Sequence, residues 1–402
     1  MKSIRYLAVL LVFLPLALRS NAQAPDPTKF APIKERMQKF VDEGELAGAV
    51  TVVGRKDGVL HFEAVGLRDI ESKAAMTKNT VFKIASMTKP ITAMAIMILQ
   101  DEGKLSVDDP VEKHLPEFKG QMLVSKREKN SITLTKPKRA ITVRDLLTHT
   151  SGLPGGYPAG FANLYQTRNL SLTESTLLIS QQPLQYEPGT EWRYCNSGID
   201  THGRIVEVVS GETFEGFLQS HVFSPLKMTD TRFYPIDNQM KRLATNYYKV
   251  DGKLAAVKVS LLEAPPEAKH PVPAGGLYST GADQAKLYRM MLHKGELDGK
   301  RILSEKAVME MTKNQTGDLI AGFVDGMAHG YGWAVVAKPT GVTEMLSVGT
   351  YGHGGAFGTQ GWVDSTQDLF CILLIQRNDL KNGDASPMRK ELQSLAVAAI
   401  KP

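Results

Sequence analysis

Between residues 30 and 43, apolar side chains recur at Phe30, Ile33, Met37, Phe40 and Val41, the three- and four-residue spacing of an amphipathic helix. The period then changes. Residues 47–53 (AGAVTVV) and 59–65 (VLHFEAV) read as two strands around the turn signal Lys56-Asp57-Gly58. Residues 86–102 form the most apolar helix of the chain, lined by Ile91, Met94, Ala95, Ile98 and Leu99 and stopped by Gly103. Further helical patterns follow at 142–150, 173–180, 197–209, 213–223 and 282–293. Strand patterns return at 332–337, 361–365 and 369–376, before a last amphipathic helix at 388–400. Strands at both ends with helices between them predict an α+β fold. Its antiparallel sheet is built from N- and C-terminal strands and flanked by helices, with a mainly helical lobe inserted over about residues 86–275. The cleft between sheet and lobe is where a site is expected.

The N-terminus carries a different signal. Lys2 and Arg5 precede a short apolar run at 6–18 containing Pro15, and small residues follow at Ser20, Ala22 and Ala24. This predicts a secretory signal peptide over residues 1–24, a catalytic domain over 25–402, and a periplasmic or secreted protein. The run is too short to span a bilayer comfortably, so no stable membrane anchor is expected. Removing the leader takes away Lys2, Arg5 and Arg19 and no acid, so the formal +6 falls to +3.

Much of the remaining basicity sits in residues 119–139, which hold seven Lys or Arg against Glu128. That stretch reads as a solvated loop or hairpin. It has no aromatic residue for base stacking, so a nucleic-acid partner is not expected. At 42% hydrophobic and 22% charged residues, the chain is neither disordered nor a coiled coil. Cys195 and Cys371 lie in apolar or strand-like surroundings and read as buried free thiols. Oligomeric state is out of reach of the sequence.

Three short segments carry candidate chemistry. Ser86-Met87-Thr88-Lys89 opens the apolar helix, and residues three apart on a helix share a face. A lysine kept neutral by burial can accept the serine proton, and the helix N-terminus offers N–H donors to a developing oxyanion. Alone, Ser-x-x-Lys recurs by chance and reads as a capping serine with a solvated lysine. The hydrophobic helix behind it changes that, because it can bury the pair. Tyr194-Cys195-Asn196 pairs a phenol able to relay a proton with a carboxamide able to bind a substrate amide. In His353-Gly354-Gly355, the glycines permit close backbone approach of a ligand, and the imidazole offers a pH-dependent donor. Read singly, the last two are ordinary turn sequences.

Their order and spacing together resemble the serine β-lactamase and penicillin-binding protein superfamily, and within it the class C β-lactamase-related group. That group includes D-Ala-D-Ala carboxypeptidases, D-amino-acid peptidases and family VIII carboxylesterases. Residues 146–153 (LLTHTSGL), Pro188-Gly189-Thr190, 203–211 (GRIVEVVSG) and 274–280 (AGGLYST) match as well, so the resemblance runs over about residues 30–398. It implies the β-lactamase/transpeptidase-like fold, with Ser86 as the nucleophile of an acyl-enzyme and Lys89 and Tyr194 sharing base and acid duties. It further implies that Asn196, His353, Gly354 and Gly355 bind substrate, and that the Ser86 and Ala356 backbone N–H groups form an oxyanion hole. His149 is a helix-end residue on this reading.

The third motif departs from the group, whose β-lactamases carry Lys-Thr-Gly or Lys-Ser-Gly there. An imidazole replaces the permanent ammonium, which weighs against efficient β-lactam hydrolysis. There is no Gly-x-Ser-x-Gly elbow and no His-Glu-x-x-His. No metal or organic cofactor is implied. The expected function is a secreted serine hydrolase of small esters or amides, of esterase or D-amino-acid peptidase type. The alternatives are a β-lactamase or D-Ala-D-Ala carboxypeptidase, and a non-catalytic penicillin-binding-like receptor.

Overall fold

Helix α1 (Ala31–Asp42) buries Ile33, Met37 and Phe40, the stripe its spacing predicts. The chain then enters β1 (Gly48–Arg55) and β2 (Gly58–Asp69), an antiparallel hairpin with a bulge at Val53/Gly54. β1 is buried on both faces, which is why AGAVTVV shows no polar alternation. In the computed structural model, residues 26–257 and 262–401 are described, so the leader read in residues 1–24 lies outside the described residues.

A two-residue strand β3 (Ala74–Ala75) extends the hairpin. The rest of the sheet comes from the C-terminal part: β4 (Met327–His329), β5 (Ala334–Val336), β6 (Tyr351–Gly354), β7 (Gln360–Asp364) and β8 (Leu369–Leu374). The eight strands run in the order β4-β5-β6-β7-β8-β1-β2-β3, and each neighbouring pair is antiparallel. Val52 faces Ile372 in register, so the two ends of the chain meet in the centre of the sheet, as the strand pattern predicts.

Between β3 and β4 lie the helices α2 (Thr88–Asp101), α3 (Val143–Leu147), α4 (Leu172–Ser180), α5 (Asn196–Ser210) and α6 (Gly281–Leu292). Helix α2 is buried from Thr88 to Leu99. Each of its large apolar side chains gains about 1.5–3 kcal/mol on burial, so the head of the helix is anchored. Val50, Val52, Ile372 and Leu374 share one core with α2 and α6. Ala49, Val53, Cys371 and Leu373 point to the other face, under α1 and the last helix, α7 (Pro387–Ile400).

Residues 119–139 contain an exposed hairpin of Leu123–Arg127 with Ile132–Thr135. The predicted 213–223 helix is Phe214–Leu218 running into a π turn, Gln219–Phe223. Both cysteines are buried and free. Among the described residues no helix is long and apolar enough to cross a membrane.

Candidate active site

The chain enters α2 through a tight turn, Ala85–Met87, in which Ala85 takes a φ of 47°. A left-handed alanine costs about 1–2 kcal/mol, and such strain collects where a side chain must be presented in one direction. The residue presented is Ser86. It borders a cleft of about 370 Å³ together with Tyr194, Phe323, His353, Gly354, Gly355, Ala356 and Asp384, a volume in the range of small-molecule sites.

One helical turn on, Lys89 lies beneath that cleft. Its Nζ is 3.1 Å from Ser86 Oγ and donates to the Ala274 carbonyl at 2.7 Å. Burial pulls its ammonium far below the ordinary lysine range, to about 7, with Asp200 and Cys195 acting in the opposite direction. Asp200 on α5 is itself buried, and its Oδ1 accepts the Ala274 N–H at 2.8 Å while its Oδ2 accepts the Tyr165 hydroxyl at 2.7 Å. The backbone of one residue, Ala274, therefore links Lys89 to Asp200. Burial raises the Asp200 carboxyl, opposed by those hydrogen bonds and by Lys89. The sequence reading missed Asp200. Its signal is an acid one turn after Asn196 on a face that otherwise buries Ile199, Ile205 and Val206.

Tyr194 closes the other side. The Lys89 Nζ lies 4.7 Å from its ring centroid, the phenol hydrogen-bonds to the Ser86 hydroxyl, and burial pushes its ionisation well up. Tyr194 is held from behind by His149. The Cys195 N–H donates to His149 Nδ1 at 3.1 Å, and the imidazole packs 4.7 Å from the Tyr194 ring. His149 does follow a helix end, with a φ of 61° just past α3. Its further role behind Tyr194 comes from a contact 46 positions away along the chain.

His353 is on β6, buried against Tyr194 and His329. Its Nδ1 lies 2.6 Å from the Gly354 carbonyl. A carbonyl only accepts, so Nδ1 carries the proton and Nε2 is a bare lone pair. Burial and Lys89 push the imidazole down to about 3. Both causes favour the neutral imidazole. Gly355 allows β6 to approach the serine turn, since a β-carbon there would meet the Ile84 carbonyl at 2.5 Å. Asn196 heads α5 two residues after Tyr194 but is not among the residues lining the cleft.

A second concavity of about 340 Å³ lies at the base of the basic hairpin, lined by Lys119, Lys136 and Arg139 among others, and has no serine or cysteine in its wall. Among the described residues no group of His, Cys, Asp or Glu is placed to hold a metal ion.

Comparison with known proteins agrees with this architecture. The family described as Beta-lactamase matches residues 33–394. Protein Rv1367c of Mycobacterium tuberculosis is 33% identical, over 85% of this chain and 88% of its own. Esterase EstB of Burkholderia gladioli is 27% identical, over 94% of this chain and all of its own. Among solved structures, EstCE1, described as a hydrolase with promiscuous acyltransferase activity, superposes with a TM-score of 0.76 at 25% identity, covering 93% of this chain and 99% of that one. Simvastatin synthase LovD of Aspergillus terreus shares the fold, with a TM-score of 0.73 at 21% identity over 94% and 98% of the two chains. The chain therefore belongs to the beta-lactamase family, as a hydrolase of that fold.

Proposed function

We propose that the protein hydrolyses small esters or amides through an acyl-enzyme on Ser86. The observation that carries this reading is the 3.1 Å contact between Ser86 Oγ and a dry Lys89 Nζ. A lysine near 7 is largely an amine at slightly alkaline pH. With one N–H on the Ala274 carbonyl, it turns its lone pair to the serine. As Oγ bonds to the substrate carbonyl carbon, its proton passes to Lys89. The Ser86 and Ala356 N–H groups receive the carbonyl oxygen as it becomes an oxyanion. The bond to the leaving alkoxide or amine then breaks, and the departing group takes a proton from Tyr194, which is resupplied through Lys89. Water deacylates the serine by the reverse proton path. The two ionisations are pushed apart, lysine down and phenol up, which divides the base duty from the acid duty.

Esters stand ahead of β-lactams in this proposal. A neutral His353 occupies the third motif, and EstB and EstCE1 carry esterase or hydrolase descriptions. Export by the 1–24 leader belongs to the same proposal. The test compares nitrocefin, a p-nitrophenyl ester and a D-Ala-D-Ala peptide with the wild type and Ser86→Ala, and follows Ser86 with a fluorophosphonate probe. We expect ester turnover fastest, lost in the variant, with mass addition at Ser86. A folded protein with no labelling and no turnover fits a receptor instead.

A further inference from the structure

The wall of the cleft opposite the lobe carries a charge. The segment after β8 folds back over β6, and Asp384 reaches the cleft wall with Oδ1 packed against Gly354. A β-carbon at position 354 would lie well inside contact distance of that oxygen, so glycine here makes room for the carboxylate. Asp384 is held from several directions. Gln360 Nε2 donates to Oδ1 at 2.9 Å, the Asp384 N–H donates to Asn382 Oδ1 at 3.0 Å, and Arg389 Nη1 donates to the Asp384 carbonyl at 2.7 Å.

Its charge is only partly offset. Among the described residues Asp384 forms no ion pair and its Oδ2 accepts no hydrogen bond. Arg389, buried behind it and 3.8 Å from the Trp362 ring centroid, attracts the carboxylate through space but donates to the Asp384 backbone carbonyl and not to the carboxylate itself. His353 beside it is neutral. Lys381 also borders the cleft but is exposed, so water screens it.

We propose that Asp384 selects substrates by charge: the cleft takes esters or amides whose arm over Gly354 is neutral or cationic, and rejects those with a carboxylate there. This rests on the Ser86 reading above. A fixed carboxylate lying several ångströms from a second one in a half-hydrated cleft repels it by about tenfold in binding.

The test uses two matched ester sets, one varied on the acyl chain and one on the aryl alcohol, each with a carboxylate, a methyl and a trimethylammonium member. In at least one set, the wild-type kcat/KM for the carboxylate member is expected about tenfold below the methyl member, with the trimethylammonium member above both. Asp384→Asn keeps the side-chain shape and the Gln360 contact; it should close both gaps. Unchanged ratios in both sets, with Ser86→Ala inactive, overturn charge selection alone. Ester turnover that is absent in the wild type, or survives Ser86→Ala, overturns the Ser86 reading and this proposal with it. Should Asp384→Asn not fold, the wild-type ratio is followed from low salt to about 1 M, where the gap should narrow several-fold; a flat ratio overturns the proposal.

Discussion

Lys89 Nζ and Asp200 are joined through the backbone of one residue, the amine on the Ala274 carbonyl and the carboxylate on the Ala274 N–H. The lysine can serve as base only when deprotonated, and burial brings that ionisation to about 7. Activity is therefore present above this value and lost as pH falls through it. We expect kcat/KM for a neutral ester to show an acid limb near pH 7. Asp200 acts to raise the lysine, so Asp200→Asn should move the limb to lower pH while the protein remains folded. A limb that stays in place in the variant would show that Asp200 does not tune Lys89.

The nucleophile and base make opposite demands on a substitution. Ser86→Ala should abolish acyl-enzyme formation. Lys89→Met fills the same dry space without a proton acceptor, and kcat should drop by at least about a hundredfold, the scale of general-base catalysis. Melting temperature should fall little, because the buried amine is replaced by an apolar chain. Intact-mass measurement with an ester in excess checks both: neither variant should accumulate acyl-enzyme.

His149 is a positioning residue on this geometry. Its Nδ1 accepts the Cys195 N–H, and its ring backs Tyr194. Replacing it with leucine leaves that buried N–H without a partner, a cost of about 1–3 kcal/mol, and loosens the phenol. We expect kcat for esters to fall with KM little changed, and His149→Asn, which restores an acceptor, to recover part of the loss. Equal effects of both variants on kcat and KM would point to a general structural role.

Acid stability follows from the buried imidazoles. His61, His149, His202, His329 and His353 all have ionisations pushed down by burial. Each is neutral in the fold but binds a proton in the unfolded chain below its ordinary value of about 6.5. Their contribution is therefore present above that pH and lost as pH falls toward the folded values, by about 1.4 kcal/mol per histidine per pH unit. The melting temperature should drop steeply between pH 6.5 and 4. His202 lies on α5 outside the cleft wall, near the Val143 carbonyl at 3.3 Å, and its replacement by glutamine should flatten the slope by about one proton.

The parts of the fold carried by periodicity were legible. Strand β1 is apolar on both faces and meets a core on each, and α2 and α7 bury apolar side chains along their lengths, so local pattern and tertiary burial agree. Strand β6 was not read as a strand: Tyr-Gly-His-Gly has two residues of low strand propensity, and its pairing with β5 and β7 decides its form. Helix Glu305–Thr312 was missed although it buries Ala307, Val308 and Met311, because eight residues give little periodicity to count. At the site, Ser86, Lys89 and Tyr194 were marked by the family resemblance that the three motifs carry together. Asp200 and Asp384 were not, since their partners at Ala274 and Gly354 lie in distant segments of the chain.

Gly354 and Asp384 should behave as a coupled pair. A side chain at 354 meets the Asp384 carboxylate before anything else, with Gln360 next. Gly354→Ser alone should therefore cost about 1–3 kcal/mol of stability by overpacking. Asp384→Ala alone removes the obstruction and leaves the Gln360 amide without its 2.9 Å acceptor. In the double variant the serine has room, and its hydroxyl can take over the Gln360 hydrogen bond. The two costs should then fail to add, with a coupling energy of at least about 1 kcal/mol, since the two positions are in direct contact. Denaturant melts of the wild type, both single variants and the double variant measure it. Simple additivity would mean that the carboxylate swings away when position 354 is filled, and that glycine there is not what admits Asp384 to the cleft wall.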